Sequence, residues 1–456
     1  MTLPPQPDRA VRAIMRGIVW ARADEPIADV ARRIGEAGQT GAVVRGEHGF
    51  GLVTDADFRA RVGSGELPAH APIGELAQFP AASIDADISQ GDALLRMVEF
   101  GLTHLLVLGS AYQPVGVVRA IDFARAEVGD PLVIRAAIEA AATRDALVRA
   151  ASTLPRTLAE LAQLRVPALQ IARLQAATID AIIRKALDFD SIDASWLLLG
   201  STGRREPLPG SDVDTAVVGE LDEQRARAVL DCLQAGGLRL CEQGVNASNP
   251  RFRRPLAHWA EAVSTWVRRP DTPQALLQAS IVIDARPVTH QPLGRQLPEL
   301  MRRARDHQPF MQAFLRECVA VHPPTGFVRD FVVEAGGAHR GELDLKRGGL
   351  LPVASLGRWV AAGSGDASGS TLDRLERGVR YRLLTRDEAD SLIGAFTGIF
   401  ELLGSRDQGR TFVNPKDLDT LTRRHLRESF RAVAMVQASV ESAGLTRLPR
   451  QPVATD

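Results

Sequence analysis

From Trp196 to Val218 the chain reads Trp-Leu-Leu-Leu-Gly-Ser-Thr-Gly-Arg-Arg-Glu-Pro-Leu-Pro-Gly-Ser-Asp-Val-Asp-Thr-Ala-Val-Val. This pattern predicts a strand, a Gly200-Ser201 turn, a loop or helical turn, and a second strand carrying Asp212 and Asp214. Residues two apart on a strand share a face. Asp212 and Asp214 therefore point the same way, and Val213 points into a core. Two adjacent carboxylates repel unless a cation sits between them. Such hard oxygen ligands suit Mg²⁺ (or Mn²⁺), which takes one or two carboxylates plus substrate phosphates. Gly200 and Ser201 offer backbone N–H groups and a hydroxyl beside them, as a phosphate cradle needs. The stretch reads as a phosphoryl-transfer site with a nucleoside triphosphate as its substrate.

A hydrophobic residue, Gly-Ser, ten intervening residues and Asp-hydrophobic-Asp form a far more specific signal than a lone Asp-x-Asp. The combination resembles the motif of the DNA polymerase β nucleotidyltransferase superfamily. That resemblance implies a third carboxylate on a later strand. Ser280-Ile-Val-Ile-Asp-Ala-Arg286 is the nearby β-rich run with one embedded acid, so Asp284 is the expected third metal ligand.

Four motifs follow one another in a fixed order. They are Gly200-Ser-Thr-Gly-Arg-Arg-Glu206, Gly244-Val-Asn-Ala-Ser-Asn-Pro250, Asp284-Ala-Arg-Pro-Val288 and Leu343-Asp-Leu-Lys346. This order resembles the bacterial CBS-linked nucleotidyltransferases described as signal-transduction proteins, from about residue 15 to about 442. Their nearest characterised relative is the uridylyltransferase of the PII nitrogen-signalling protein. The resemblance implies transfer of a nucleoside monophosphate, UMP-like, to a hydroxyl on a protein or small-molecule acceptor. It makes Asp212, Asp214 and Asp284 catalytic metal ligands. It gives nucleotide contacts to Gly200, Ser201, Arg204, Ser211, Asn249 and Lys346, with Arg204 on the leaving pyrophosphate and Glu206 orienting Arg204. Asn246 and Thr215 depart from the family pattern, which expects Met and Asn. Two other classes fit the motif: a catalytically weak nucleotide-sensing module, and a small-molecule transferase of the antibiotic-modifying sort. The intact acids speak against the first and the sensor repeats described next against the second.

The first 125 residues contain a repeat. Glu36-x-Gly38-x-Thr40 recurs as Glu99-x-Gly101-x-Thr103, each followed by a short apolar strand. Gly51-Leu-Val-Thr-Asp-Ala-Asp57 then matches Gly116-Val-Val-Arg-Ala-Ile-Asp122. The repeat resembles a tandem CBS pair, which implies an adenine nucleotide, AMP or ATP, between the repeats and a homodimer through them. The implied ligand residues are Thr54, Asp57, Arg119 and Asp122; helix N-capping is the alternative role for both aspartates.

Length alone suggests about three domains. The fold class expected is multidomain α/β and α: the CBS pair over 1–128, a helical connector over 129–188 broken near Pro155 and Pro167, a polymerase-β-like nucleotidyltransferase core with a mixed sheet over 189–304, a mainly helical substrate-binding domain over 305–445, and a disordered tail over 446–456. Within the helical domain, Phe327–Val333 and Gly341–Leu345 read as a short hairpin, Gly363–Gly369 as a loop, and 387–404 and 417–443 as helices. Trp259 and Trp266 fall on one helix face, as packing residues. Lys346 and Arg358 are expected at the active-site cleft.

Formal net charge is zero, which argues against a nucleic-acid partner, since that binding needs a dense basic footprint. Nearly all positive charge is Arg, with only Lys185, Lys346 and Lys416 as lysines, which fits a high-GC bacterial genome. Cys232, Cys241 and Cys318 are widely spaced and read as buried small hydrophobes in a reducing, cytoplasmic compartment. No run approaches a membrane span.

Overall fold

A computed structural model describes residues 10–448, apart from 48, 111, 124–130, 290–291, 326–330 and 407–409. The chain forms two compact units, Met1–Ala136 and Ala137–Asp456. The Pro131–Ala140 helix crosses the division, a few residues beyond the boundary expected at 128.

The first unit is the repeat made visible. Strands β1 (Trp20–Arg22), β2 (Gly41–Gly46) and β3 (Gly49–Thr54) form one sheet in the order β1-β2-β3. Strands β4 (Ser83–Asp85), β5 (His104–Leu108) and β6 (Pro114–Arg119) form the other in the order β4-β5-β6. In both, the first pair is parallel and the second antiparallel. Parallel neighbours need a crossover, supplied here by the amphipathic helices Ile27–Glu36 and Gln90–Phe100. The equivalence reaches single hydrogen bonds. Asp55 N–H donates to Thr40 O in one repeat, and Ala120 N–H to Thr103 O in the other. Val43 and Leu52 of one repeat share a small core with Leu106 of the other.

The second unit starts with the expected helical run: Arg144–Ala151, Leu154–Gln163 and Ala168–Phe189. The prolines sit where the sequence put the breaks. Pro155 lies in the first turn of its helix, where a missing N–H costs nothing, and Pro167 precedes the long helix. That long helix is almost wholly buried, so its sequence is apolar on nearly every side. Next comes the sheet: β7 (Ser195–Leu198), β8 (Asp212–Val213), β9 (Thr215–Val218), β10 (Arg239–Leu240), β11 (Arg253–Arg254) and β12 (Arg286–Pro287). Four of these make a mixed sheet, ordered β11-β9-β7-β12, while β10 pairs in parallel with β8. One hydrophobic core runs from Ala168 through the strands to Val440, so no break in packing marks positions 188 or 304.

The helical region contains Gln308–Val319, Leu351–Ser364, Thr371–Arg380, Arg386–Gly404 and Thr420–Ala443. Ser370 and Thr385 each head a capping box, and Asp419 caps the last helix. Trp259 and Trp266 are both buried on the Leu256–Arg268 helix, with ring centroids 6.5 Å apart, as packing residues.

Four expectations change. Ser280–Val282 is not strand: it ends the helix Pro273–Val282, capped by Thr272 and opened by Pro273. A short apolar run of β-branched residues fits a buried helix as well as a strand, and the Thr-Pro start signal decides it. The hairpin expected at 327–345 is replaced in part. Leu343–Asp344 (β13) pairs with Phe412–Val413 (β14), while Glu334 keeps backbone hydrogen bonds to Gly341 and Glu342. Residues 327–330 of that hairpin lie outside the described residues. The loop expected from Gly363 begins only at Gly365, because the preceding helix runs through Ser364. Of the expected tail, Thr446 and Arg447 belong to a 3₁₀ turn, where Arg447 pairs with Glu388; 449–456 lie outside the described residues.

Candidate active site

Strand β7 runs into a single helical turn, Gly200–Gly203, and the chain returns through β8. Val213 is buried, and Asp212 and Asp214 on either side of it are half-buried, which is the alternation expected. Leu199 N–H donates to Asp214 O at 2.9 Å, locking the strand end to the carboxylate-bearing segment. Gly200 has φ +57°, and a Cβ there would lie 2.6 Å from Asp214 Oδ2. Only glycine provides both the left-handed backbone and the room for that oxygen. The carboxylate thus lies against the first residue of the turn.

Burial pushes the Asp214 carboxyl above its usual range, and Asp212 pushes the same way, against the Cys241 hydrogen bond and the charges of Lys346 and Arg358. Cys241 follows β10 directly, beside Asp214 by the parallel β8–β10 register, and is partly exposed. It therefore serves the site and not the core, unlike buried Cys232 and Cys318. Arg239 Nε stands 3.5 Å from Asp212 Oδ1. Asp212 and Asp214 are hard oxygen donors on one face, and a divalent cation would offset both the burial and the Asp212 charge that raise Asp214. The pair fits Mg²⁺. Lys346 is exposed, with its charge felt at Asp214.

Asp284 is placed differently from the expectation. It sits in the turn between the Pro273–Val282 helix and β12, 1% exposed, and accepts from three guanidiniums. Arg204 and Arg358 donate to Oδ2, and Arg374 donates to Oδ1. Burial alone would raise its pKa; the charges of Arg204, Arg358 and Arg374 outweigh that and hold it well below the usual carboxylate range. Among the described residues no group of three His, Cys, Asp or Glu side chains gathers as a metal site. In this structure Asp284 is an anchor for arginines, with both oxygens already engaged by guanidinium donors.

Arg204 also turns inward. It is 7% exposed, with Nε shared between Glu206 and Thr371 and Nη1 on Asp284. Its bonds run to the protein, so the expected pyrophosphate contact is not what this geometry displays. Glu206 accepts from Arg204 and from the N–H and Oγ1 of Thr371, tying the turn to the Thr371–Arg380 helix.

A second carboxylate, missed in the sequence, supports the same turn. Asp180, on the Ala168–Phe189 helix and 1% exposed, takes a two-pronged bond from Arg286 at 2.7 and 2.8 Å. Arg286 then donates to Gly203 O at 2.9 Å and to Thr202 O at 3.2 Å. The Asp-x-Arg motif is thus two clamps. Asp284 gathers arginines, and Arg286 pins the carbonyl end of the turn to the helix behind it. Gly203 is required by that closeness: a Cβ would meet Asp284 O at 2.3 Å. Arg205 has φ +63°, and burial with the nearby Arg286 lowers its pKa to about 10.

The remaining expected residues divide. Ser201 and Ser211 are half-buried in the loop that joins β7 to β8. Asn249 spends its side chain on the turn, donating to Gly244 O and accepting from Arg251 N–H. The two departures from the family pattern support that same turn: Thr215 Oγ1 accepts from Ala247 N–H, and Asn246 Oδ1 accepts from Ser248.

In the first unit, Thr54 and Asp57 form a capping box, and Gln78 donates to the other Asp57 oxygen. Asp122 is 8% exposed and accepts from Arg119 through N–H, Nε and Nη2, and from Arg16. Asp57 thus closes a capping box, Asp122 accepts from the N–H of Arg119 at the start of its helix, and the Arg119 guanidinium is folded back on Asp122. Thr40 Oγ1 meets His104 Nε2 at 2.8 Å, joining the repeats. Burial, then Arg119, lowers the His104 pKa.

Residues 152–273 match the family model described as "Putative nucleotidyltransferase DUF294", and 308–443 match "Putative nucleotidyltransferase substrate binding domain". The two stretches together make up more than half of the chain. No curated protein matches it. Among solved structures, a conserved CBS domain protein from Thermoplasma acidophilum is 19% identical over 28% of this chain and 72% of its own, with a TM-score of 0.25. A CBS domain protein from Pyrobaculum aerophilum, complexed with AMP, is 18% identical over 26% of this chain and 92% of its own, with a TM-score of 0.24. No described helix is long and apolar enough to cross a membrane.

Proposed function

The chain belongs to the DUF294 nucleotidyltransferase family, and we propose that it moves a nucleoside monophosphate, UMP-like, from a triphosphate to a hydroxyl on a protein or small-molecule acceptor. The observation that carries this is Asp212 and Asp214 on one face, with Gly200 leaving room for the Asp214 carboxylate. Bound Mg²⁺ would supply charge neutralisation for the triphosphate and a more acidic acceptor hydroxyl. Asp212 and Asp214 would hold it. The first N–H groups of the turn, those of Gly200 and Ser201, would hold the phosphate tail. Lys346 and Arg358 add positive charge beside Asp214, opposing escape of the anionic substrate. Asp284 and Asp180 do not touch substrate in this scheme; they fix the arginines and the turn so that little reorganisation is needed on binding.

Regulation belongs to the same proposal. An adenine nucleotide, AMP or ATP, would sit between the two repeats of the first unit, engaging Thr54 and Asp57 and displacing Arg119 from Asp122. The matched backbone bonds of the two repeats support a nucleotide between them, and a homodimer would form through this unit.

The test is a screen of the four α-labelled nucleoside triphosphates against cell lysate, with Mg²⁺ or Mn²⁺. Label should pass from one of them to an acceptor with the wild-type protein and not with Asp212→Asn. Transfer by Asp212→Asn at a wild-type rate would remove the pair from the chemistry.

A further inference from the structure

A cleft of about 550 Å³ opens on the other flank of the Asp284 turn. Its lining includes Gly203 and Asp284 but neither Asp212, Asp214, Gly200 nor Lys346, so it is not the carboxylate site. Its size suits a small ligand. Five arginines line it against three acids. Arg286 and Arg374 are balanced by Asp180 and Asp284, and Arg302 by Glu299. Asp366 is taken by Arg377. No described carboxylate pairs with Arg295; Arg305 has one carboxylate partner, its exposed neighbour Asp306 at 3.4 Å, and donates to Ser364 O at 3.5 Å. The surplus is positive.

The cleft is built, not incidental. Gly365 takes φ +71° at the end of the Leu351–Ser364 helix, and a Cβ there would lie 2.9 Å from Arg305 Cδ and 3.1 Å from Arg302 Cγ. The bare backbone lets both arginine stems pack against the loop. Arg374, 1% exposed, lines the floor, and its buried Nε has no hydrogen-bond partner among the described residues. Tyr381, 44% exposed, adds an aromatic wall.

We propose that this cleft binds a phosphate-bearing small molecule, separately from the triphosphate. Guanidinium forks match phosphate oxygens in pairs, and two arginines short of carboxylate partners supply the forks. The cleft's lining also includes Arg286, which donates to Gly203 O and so pins the Gly200–Gly203 turn.

The test is calorimetry with inorganic pyrophosphate on the full chain in EDTA, where no metal can bridge an anion to Asp212 and Asp214. Wild type should bind. Arg295→Gln with Arg305→Gln should weaken binding at least about tenfold, as loss of charge-assisted bonds does. Both positions are exposed, and an unchanged melting temperature without ligand shows that the fold survives. Asp214→Asn and Lys346→Gln should bind as wild type does. Absence of binding, binding indifferent to the arginine pair, or binding lost in Lys346→Gln would overturn the assignment. The readout needs neither metal nor transfer, so its failure is distinct from failure of the proposed activity.

Discussion

Asp214 is the residue on which the site's chemistry turns. Its carboxyl is held above the usual range, first by burial and then by Asp212. A cation must displace the proton, so its affinity should rise with pH through the raised pKa and fall below it, in a window above the ordinary Asp value of about 3.9. Isothermal titration with Mn²⁺ across that range checks the sign; a flat profile contradicts it. Asp284 behaves oppositely, with a depressed pKa. It contributes stability above the unfolded value, lost as pH falls through the folded one. Asp284→Asn leaves Arg374 and Arg358 without their anion in a buried place, and breaking such a pair costs about 3–5 kcal/mol. A urea midpoint within error of wild type would show that the arginine anchor is not structural. These different roles could not be told apart in the sequence. Asp212 and Asp214 announce themselves by spacing, whereas the three arginines on Asp284 come from positions 204, 358 and 374, which no local pattern joins.

The elements around the turn explain what was legible and what was not. The β7–turn–β8 sequence was readable because period two and a Gly-Ser break are local signals. The helix break at Pro167 was readable for the same reason. Ser280–Val282 reads as strand from sequence because its apolar run fits either element, and the decisive cap lies eight residues earlier, at Thr272. Asp180 gave no signal at all: an acid on an otherwise apolar helix is meaningful only once Arg286 is seen to reach it. Two substitutions separate turn geometry from stability. Gly200→Ala meets a left-handed backbone, costing about 1–2 kcal/mol, and also the Asp214 oxygen. Transfer should fall by orders of magnitude while the melting curve shifts modestly. Arg286→Lys loses the two-pronged bond to Asp180 and the grip on Gly203 O, since an ammonium cannot fork. It should lower the maximal rate more than it raises the Michaelis constant; the reverse pattern would place Arg286 in substrate binding.

At the scale of the molecule, a unit built from two repeats and a unit matched by a nucleotidyltransferase family model share one chain. If the first governs the second, an adenine nucleotide must change the transfer equilibrium or rate through a coupling of about 1–3 kcal/mol. Transfer measured with and without AMP should then differ in wild type and not in Asp57→Ala, whose first-repeat site is altered; identical responses would leave the unit without a regulatory role. The zero net charge predicts no retention on DNA or RNA at physiological salt. Everything rests on the aspartate pair being the cation site. The most direct measurement is Mn²⁺ binding by electron paramagnetic resonance, in the presence of a non-hydrolysable nucleoside triphosphate, for wild type, Asp214→Asn and a Lys346→Gln control. Wild type should bind Mn²⁺ in a nucleotide-dependent manner, Asp214→Asn should lose that binding, and Lys346→Gln should keep it with weaker nucleotide affinity. Undiminished Mn²⁺ binding by Asp214→Asn would contradict the aspartate pair as the cation site.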